Sequence, residues 1–164
     1  MASNDSAYLV LDVAGTACAL PHAAVAEILP LPDLQMPLAS GGWLVGFLNL
    51  GGVPIPVIDL AALVGLRAAT TAPGLYAHLV VIRGAAQAYL VDRAADLITV
   101  PGAAIRPVEA DGTLNGCVAA ELALGDRLIH VLAPDRLLTA QEQARLDGLT
   151  RSAAERLAAL PQSA

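Results

Sequence analysis

Short apolar runs, broken by glycine, proline and single polar residues, recur from Tyr8 to Leu138. This is the pattern of successive short strands. The runs repeat. Tyr8-Leu9-Val10 leads to Gly15, then to Ala19-Leu20-Pro21-His22 and Ala24-Val25-Ala26-Glu27-Ile28. His78-Leu79-Val80 leads in the same way to Gly84, then to Tyr89-Leu90-Val91-Asp92 and Ala94-Ala95-Asp96-Leu97-Ile98. Each copy predicts strand, glycine turn, strand, short polar corner, strand. The following elements also correspond. Val45 to Leu50, Gly51-Gly52 and Val53 to Ile58 run into Leu60 to Val64, while Cys117 to Leu124, Gly125-Asp126 and Arg127 to Leu132 run into Pro134 to Leu138. Both are hairpins with a tight glycine turn and a short helical segment behind them.

The copies stand about 70 residues apart, too long for a solenoid repeat and suited to a five-stranded barrel built twice. The expectation is an all-β chain forming a single domain over residues 1–164, with barrel halves at about 7–67 and 75–138. The joint is expected near Arg67 to Gly74, where Ala, Thr, Pro and Gly replace the apolar alternation. Leu31 to Gly42, with Pro32, Pro37, Gly41 and Gly42, reads as a long connection. Thr139-Ala140-Gln141-Glu142 is a capping box that predicts a helix over 140–158, with Leu146, Leu149 and Leu157 on its apolar face.

Composition narrows the function classes. A chain of 164 residues can bury roughly 70% of its unfolded surface. Apolar residues make up 56% and charged residues 15%, which argues against disorder. The net charge is −6, and the nine basic residues are all Arg without a basic run, which argues against nucleic acid as a partner. Met1 to Ser6 lacks the features of a signal peptide, so the chain is expected in the cytoplasm with reduced thiols. Leu44 to Leu66 is apolar but carries Asn49, Gly51, Gly52, Pro54, Pro56 and Asp59, punctuation that a lipid-spanning helix would not hold. No direct membrane insertion is expected.

Reactive residues are not assembled for catalysis. No serine lies in a Gly-x-Ser-x-Gly turn, and Gly51-Gly52 lacks both phosphate-cradling glycine patterns. Cys18 and Cys117 stand apart from any metal-ligand spacing and read as small buried hydrophobes. Cys18 and His22 are close enough for a nucleophile and base, but no third orienting group accompanies them. Asp59, Asp92, Asp96 and Asp135 sit at strand ends, where Asp bonds backbone amides. The expectation is a protein without catalytic residues, cofactor or metal.

The segment Gly46-Phe47-Leu48-Asn49-Leu50-Gly51-Gly52-Val53-Pro54-Ile55-Pro56-Val57-Ile58-Asp59-Leu60 resembles the signature hairpin of CheW-like domains, G-x-x-N-L-R-G-x-x-x-P-V-[IV]-D-L. Tyr8-Leu9-Val10, Val25-Ala26-Glu27-Ile28, Leu90-Val91-Asp92, Ile105-Arg106-Pro107 and Leu124-Gly125-Asp126-Arg127-Leu128 fall in that family's order. The resemblance runs from about Tyr8 to Asp147. It implies two five-stranded SH3-like barrels packed together, and a chemotaxis adaptor without enzymatic activity. The implied partners are the cytoplasmic tip of a methyl-accepting chemoreceptor, the regulatory domain of a CheA-type histidine kinase and other CheW-like proteins, in arrays at the membrane. It also implies partner-binding roles for Glu27, Asn49, Leu50, Gly51 and Gly52, with Asn49 reading equally as a turn residue bonding its own backbone.

The chain departs from the family where the signature Arg is Gly51. The loss of a planar donor fork puts the usual receptor contact in question and suggests an auxiliary array component as the alternative. A carrier of an apolar ligand, suggested by two barrels and high hydropathy, is the reading from a different class.

Overall fold

The computed structural model describes residues 5–31, 42–66, 74–108 and 117–159. Most of the expected Leu31 to Gly42 connection and of the Arg67 to Gly74 joint lies outside these residues. The elements are β1 (Ser6–Val13), β2 (Thr16–Pro21), β3 (Val25–Pro30), β4 (Leu44–Leu50), β5 (Val53–Asp59), α1 (Leu60–Leu63), β6 (His78–Ile82), β7 (Ala88–Val91), β8 (Arg93–Val100), β9 (Ile105–Pro107), β10 (Val118–Leu124), β11 (Arg127–Leu132) and α2 (Ala140–Ala159). They form two SH3-like barrels, as expected. One sheet runs β8-β1-β2-β11-β10-β9 and the other β3-β6-β7-β5-β4.

The barrels differ from the contiguous halves 7–67 and 75–138. The chain starts in the first sheet, crosses to the second at His22–Ala24, and returns at Asp92. Each sheet therefore takes a hairpin from the other copy: β1–β2 sits with β8 to β11, and β6–β7 sits with β3 to β5. The reason is a parallel pairing in each sheet, β2 on β11 and β7 on β5, which the repeat boundary cannot reveal.

The exchange obeys an approximate two-fold, register for register. Ile28 pairs with Val80 as Leu97 pairs with Leu9, and Glu27 pairs with Val81 as Asp96 pairs with Val10. Ala26 and Ala95 are the bulged residues of the two edge strands. Leu44 pairs with Ile58 as Val118 pairs with Leu132, each followed by a bulge. In this register Leu9 corresponds to Val80 and Leu20 to Tyr89, one residue from the alignment the apolar runs suggest. Those runs are buried on both faces, so alternation gives no phase.

Burial explains the high apolar content. Tyr8, Val10, Ala19, Leu122, Ile129 and Val131 fill one barrel, and Leu48, Ile55, Val57, Leu79, Val81 and Leu90 fill the other. The alternate residues Leu9, Leu11, Leu20, Val80, Tyr89 and Val91 face a third and larger core between the barrels. Cys18 and Cys117 are buried there, and the Cys18 thiol is pushed up to about 12, first by burial and then by Cys117 and Asp12. Burial also raises the Cys117 thiol.

Helix α2 closes this core with Leu146 and Ala153, and Leu149 packs partly against it. The expected capping box is present: Glu142 N donates to Thr139 Oγ1 at 3.1 Å, and Thr139 N donates to Glu142 Oε1 at 2.8 Å. A hydrogen-bond chain that runs from buried Tyr89 out to the exposed side of the helix holds the helix on its seat. Tyr89 Oη donates to Gln87 Oε1, Gln87 Nε2 donates to Gln143 Oε1, and Gln143 Nε2 donates to Asp147 Oδ1.

Candidate partner-binding site

The first candidate surface is the β4–β5 hairpin tip. Gly51 and Gly52 hold φ of +62° and +88°, the type I′ turn whose twist matches the strands it joins. Asn49 Oδ1 accepts the Gly52 amide at 2.8 Å, so Asn49 builds its own turn. Leu50 and Val53 pair across the strands beside the glycines and are 41% and 54% exposed. A Cβ on Gly51 or Gly52 would meet open space. The tip is thus a smooth apolar end without a charged side chain. The remaining motif residues are structural: Gly46 is buried beside the bulge, and Asp59 Oδ1 caps α1 through the Ala62 amide at 3.3 Å.

The second surface is a groove between the barrels. It measures about 170 Å³ and is lined by Leu9, His22, Val25, Glu27, Ile28 and Leu97, among others. Its two walls are edge strands, β3 of one sheet and β8 of the other. Ile28 is 44% exposed and Leu97 54% exposed, and their positions are equivalent under the two-fold. Glu27 is exposed and lines the groove beside Ile28.

Of the residues expected from sequence, Glu27 belongs to the groove, whereas Asn49, Leu50, Gly51 and Gly52 belong to the tip. No tip residue lines the groove. Sequence reasoning missed Ile28, Leu97 and Val53 as surface residues. For Leu97 the repeat misleads by one residue, since the aligned runs set it against Glu27 whereas the strand registers make it the counterpart of Ile28.

Catalytic geometry is not assembled around Cys18 and His22. Cys18 is fully buried in the central core, while His22 is exposed at the corner between β2 and β3. Among the described residues no group of three or more His, Cys, Asp and Glu could hold a metal ion, and no helix is long and apolar enough to cross a membrane.

A family model for the CheW-like domain matches residues 7–142. Among solved structures, the scaffolding protein TtCheW from Thermoanaerobacter tengcongensis matches with a TM-score of 0.73 at 18% identity, over 84% of this chain and 90% of that one. No curated protein matches the chain. Helix α2 runs on past the last residue of the family match.

Proposed function

The chain belongs to the CheW-like domain family, and from that premise we propose that it is a non-enzymatic adaptor of a bacterial chemosensory array. It couples the cytoplasmic tip of a methyl-accepting chemoreceptor to the regulatory domain of a CheA-type histidine kinase. It acts in the cytoplasm, recruited to receptor arrays at the membrane.

The observation that carries this reading is the inter-barrel groove with exposed Ile28 and Leu97 and the Glu27 carboxylate. Exposed apolar residues held on a rigid frame suit a reversible protein contact. An amphipathic receptor helix that lays its apolar stripe in the groove leaves its polar residues for Glu27 and water. The smooth tip at Leu50-Gly51-Gly52-Val53 supplies a second face, taken by the kinase domain or by another CheW-like protein. Both barrel interiors are filled by side chains, which leaves the apolar-carrier reading without support.

Titration calorimetry of the full chain against a receptor-tip fragment and the kinase regulatory domain tests the proposal. Binding to both, with the receptor arm weakened by Glu27→Lys, is the expected result. Binding to neither would overturn it. Binding to the kinase domain alone would favour the auxiliary component.

A further inference from the structure

The turn between β6 and β7 is held at its two ends by side chains that reach different parts of the molecule. Residues Arg83 to Ala86 are exposed, and Gln87 is buried. Ile82 N donates to Gln87 O at 3.0 Å and Gln87 N to Ala85 O at 2.8 Å. One closed loop of backbone therefore sets Arg83 and Gln87 relative to each other.

Arg83 holds the first crossover. Its amide donates to Ala24 O at 2.8 Å, its Nε to Ala23 O at 3.2 Å and its Nη2 to Val25 O at 3.1 Å. Val25 opens β3 and lines the groove. As an edge strand, β3 pairs only with β6, and its ladder is interrupted between Val25 and Glu27. A strand bulged so close to its start has few ladder bonds there, and the Val25 amide itself turns back to His22 O. The donors of Arg83 thus supply much of what fixes the beginning of this wall.

Gln87 holds helix α2. Its Nε2 donates to Gln143 Oε1 at 2.6 Å, while its Oε1 accepts the Tyr89 hydroxyl at 3.0 Å. The helix is lightly anchored in the core: Leu146 and Ala153 are its buried residues over a length of 20. An element with few buried apolar contacts opens locally without global unfolding.

We infer that the β6–β7 turn is a relay between α2 and the groove. Seating of α2 fixes Gln87, the closed turn fixes Arg83, and Arg83 sets the start of β3 and with it the wall that carries Glu27 and Ile28. Gln143, Gln87 and Arg83 are positioning residues, and α2 is the element with two states, seated or open. Coupling of this kind is reciprocal, so a partner held against β3 tightens α2. The effect on receptor affinity rests on the groove being the receptor face proposed above, whereas the effect on the backbone does not.

The test uses the full chain, with amide hydrogen exchange and receptor-fragment affinity measured on each variant. Gln143→Met keeps length and helix propensity but removes the acceptor for Gln87. The Arg83 and Val25 amides, hydrogen-bonded to Ala24 O and His22 O, should then exchange about tenfold faster, with receptor binding weakened by a similar factor. Gln143→Glu retains an acceptor oxygen and should stay near native in both. In an Arg83→Ala chain, Gln143→Met should change neither reading further. Saturating receptor fragment should slow exchange in α2 of the native chain but not of Gln143→Met. Faster exchange confined to α2, with the Arg83 and Val25 amides unchanged, would overturn the inference. Native receptor affinity in Gln143→Met would overturn it too if Ile28→Glu, a direct change to the wall, weakens binding. If neither variant affects binding while exchange spreads to Arg83 and Val25, the relay stands and the receptor face falls.

Discussion

The amide of Ala14 donates to Asp92 Oδ2 at 2.8 Å across 78 positions of sequence. Ala14 sits at the tip of the β1–β2 turn with φ of +52°, the only non-glycine residue at positive φ among the described residues. Asp92 is the single residue between β7 and β8, where the chain returns to the first sheet, and its amide donates to Asp12 O at 3.0 Å. The exchanged hairpin is thus tied by its tip to the strand crossover. The other exchanged hairpin is tied in a comparable way: Arg83, after β6, donates to the carbonyls of Ala23, Ala24 and Val25 at the first crossover.

Removing the Asp92 carboxylate should therefore loosen both hairpin and crossover. Asp92→Ala leaves the Ala14 amide without its partner, and a part-buried donor left unpaired costs about 1–3 kcal/mol. Asp92→Asn retains an acceptor oxygen and should lose less. Urea unfolding of the two variants checks this, and equal stabilities would mean that the Ala14 contact contributes nothing.

Hairpin exchange also fixes how the chain divides. A cut near Pro73 separates β1–β2 from β8 to β11 and β6–β7 from β3 to β5. Neither fragment keeps a complete sheet, and barrels of this size are marginal even when complete. Each fragment alone should lack a cooperative melt, and an equimolar mixture should recover one with native β-signal by circular dichroism. Two fragments melting separately would show that each closes a barrel of its own.

Local features were legible in the sequence, and long-range ones were not. The glycine turns, the Thr139–Glu142 capping box and the Asp59 cap depend on neighbours a few residues away, so residue type and spacing suffice to read them. The duplication was legible because both copies keep the same order of runs and turns. Which copy pairs with which depends on the parallel contacts of β2 with β11 and β5 with β7, and nothing in a single strand encodes its partner. The groove was half legible. Glu27 was legible through the family resemblance, whereas Leu97 looks like core until β8 is known to be an edge.

The Cys18 thiol gives a prediction for alkaline pH. Its pKa is raised from 9.0 to about 12, so above pH 9 the unfolded chain releases a proton that the folded chain holds. Stability is then full below about pH 9 and falls as pH rises toward about 12. Cys18→Ala should flatten that decline while lowering stability at neutral pH through the cavity it leaves. In the same way, a thiol reagent should fail to label Cys18 at pH 8 until denaturant is added. Rapid labelling of the folded protein would contradict its burial.

Gly51 separates backbone strain from recognition. At φ +62° a side chain there is strained although its Cβ meets open space, and the left-handed conformation costs roughly 1–2 kcal/mol for a residue with a Cβ. Gly51→Ala and Gly51→Arg should therefore lose similar stability, and the difference between them isolates the guanidinium. No tip residue lines the groove, so both variants should bind the receptor fragment as the native chain does. The kinase regulatory domain should distinguish them. An exposed ion pair would tighten Gly51→Arg over Gly51→Ala by about 0.2–1 kcal/mol, and a desolvated Arg by roughly 2 kcal/mol. Titration calorimetry and melting on the same two proteins read both effects. A receptor affinity that moves with Arg but not with Ala would put the tip at the receptor contact, and equal kinase affinities would remove it from the kinase face.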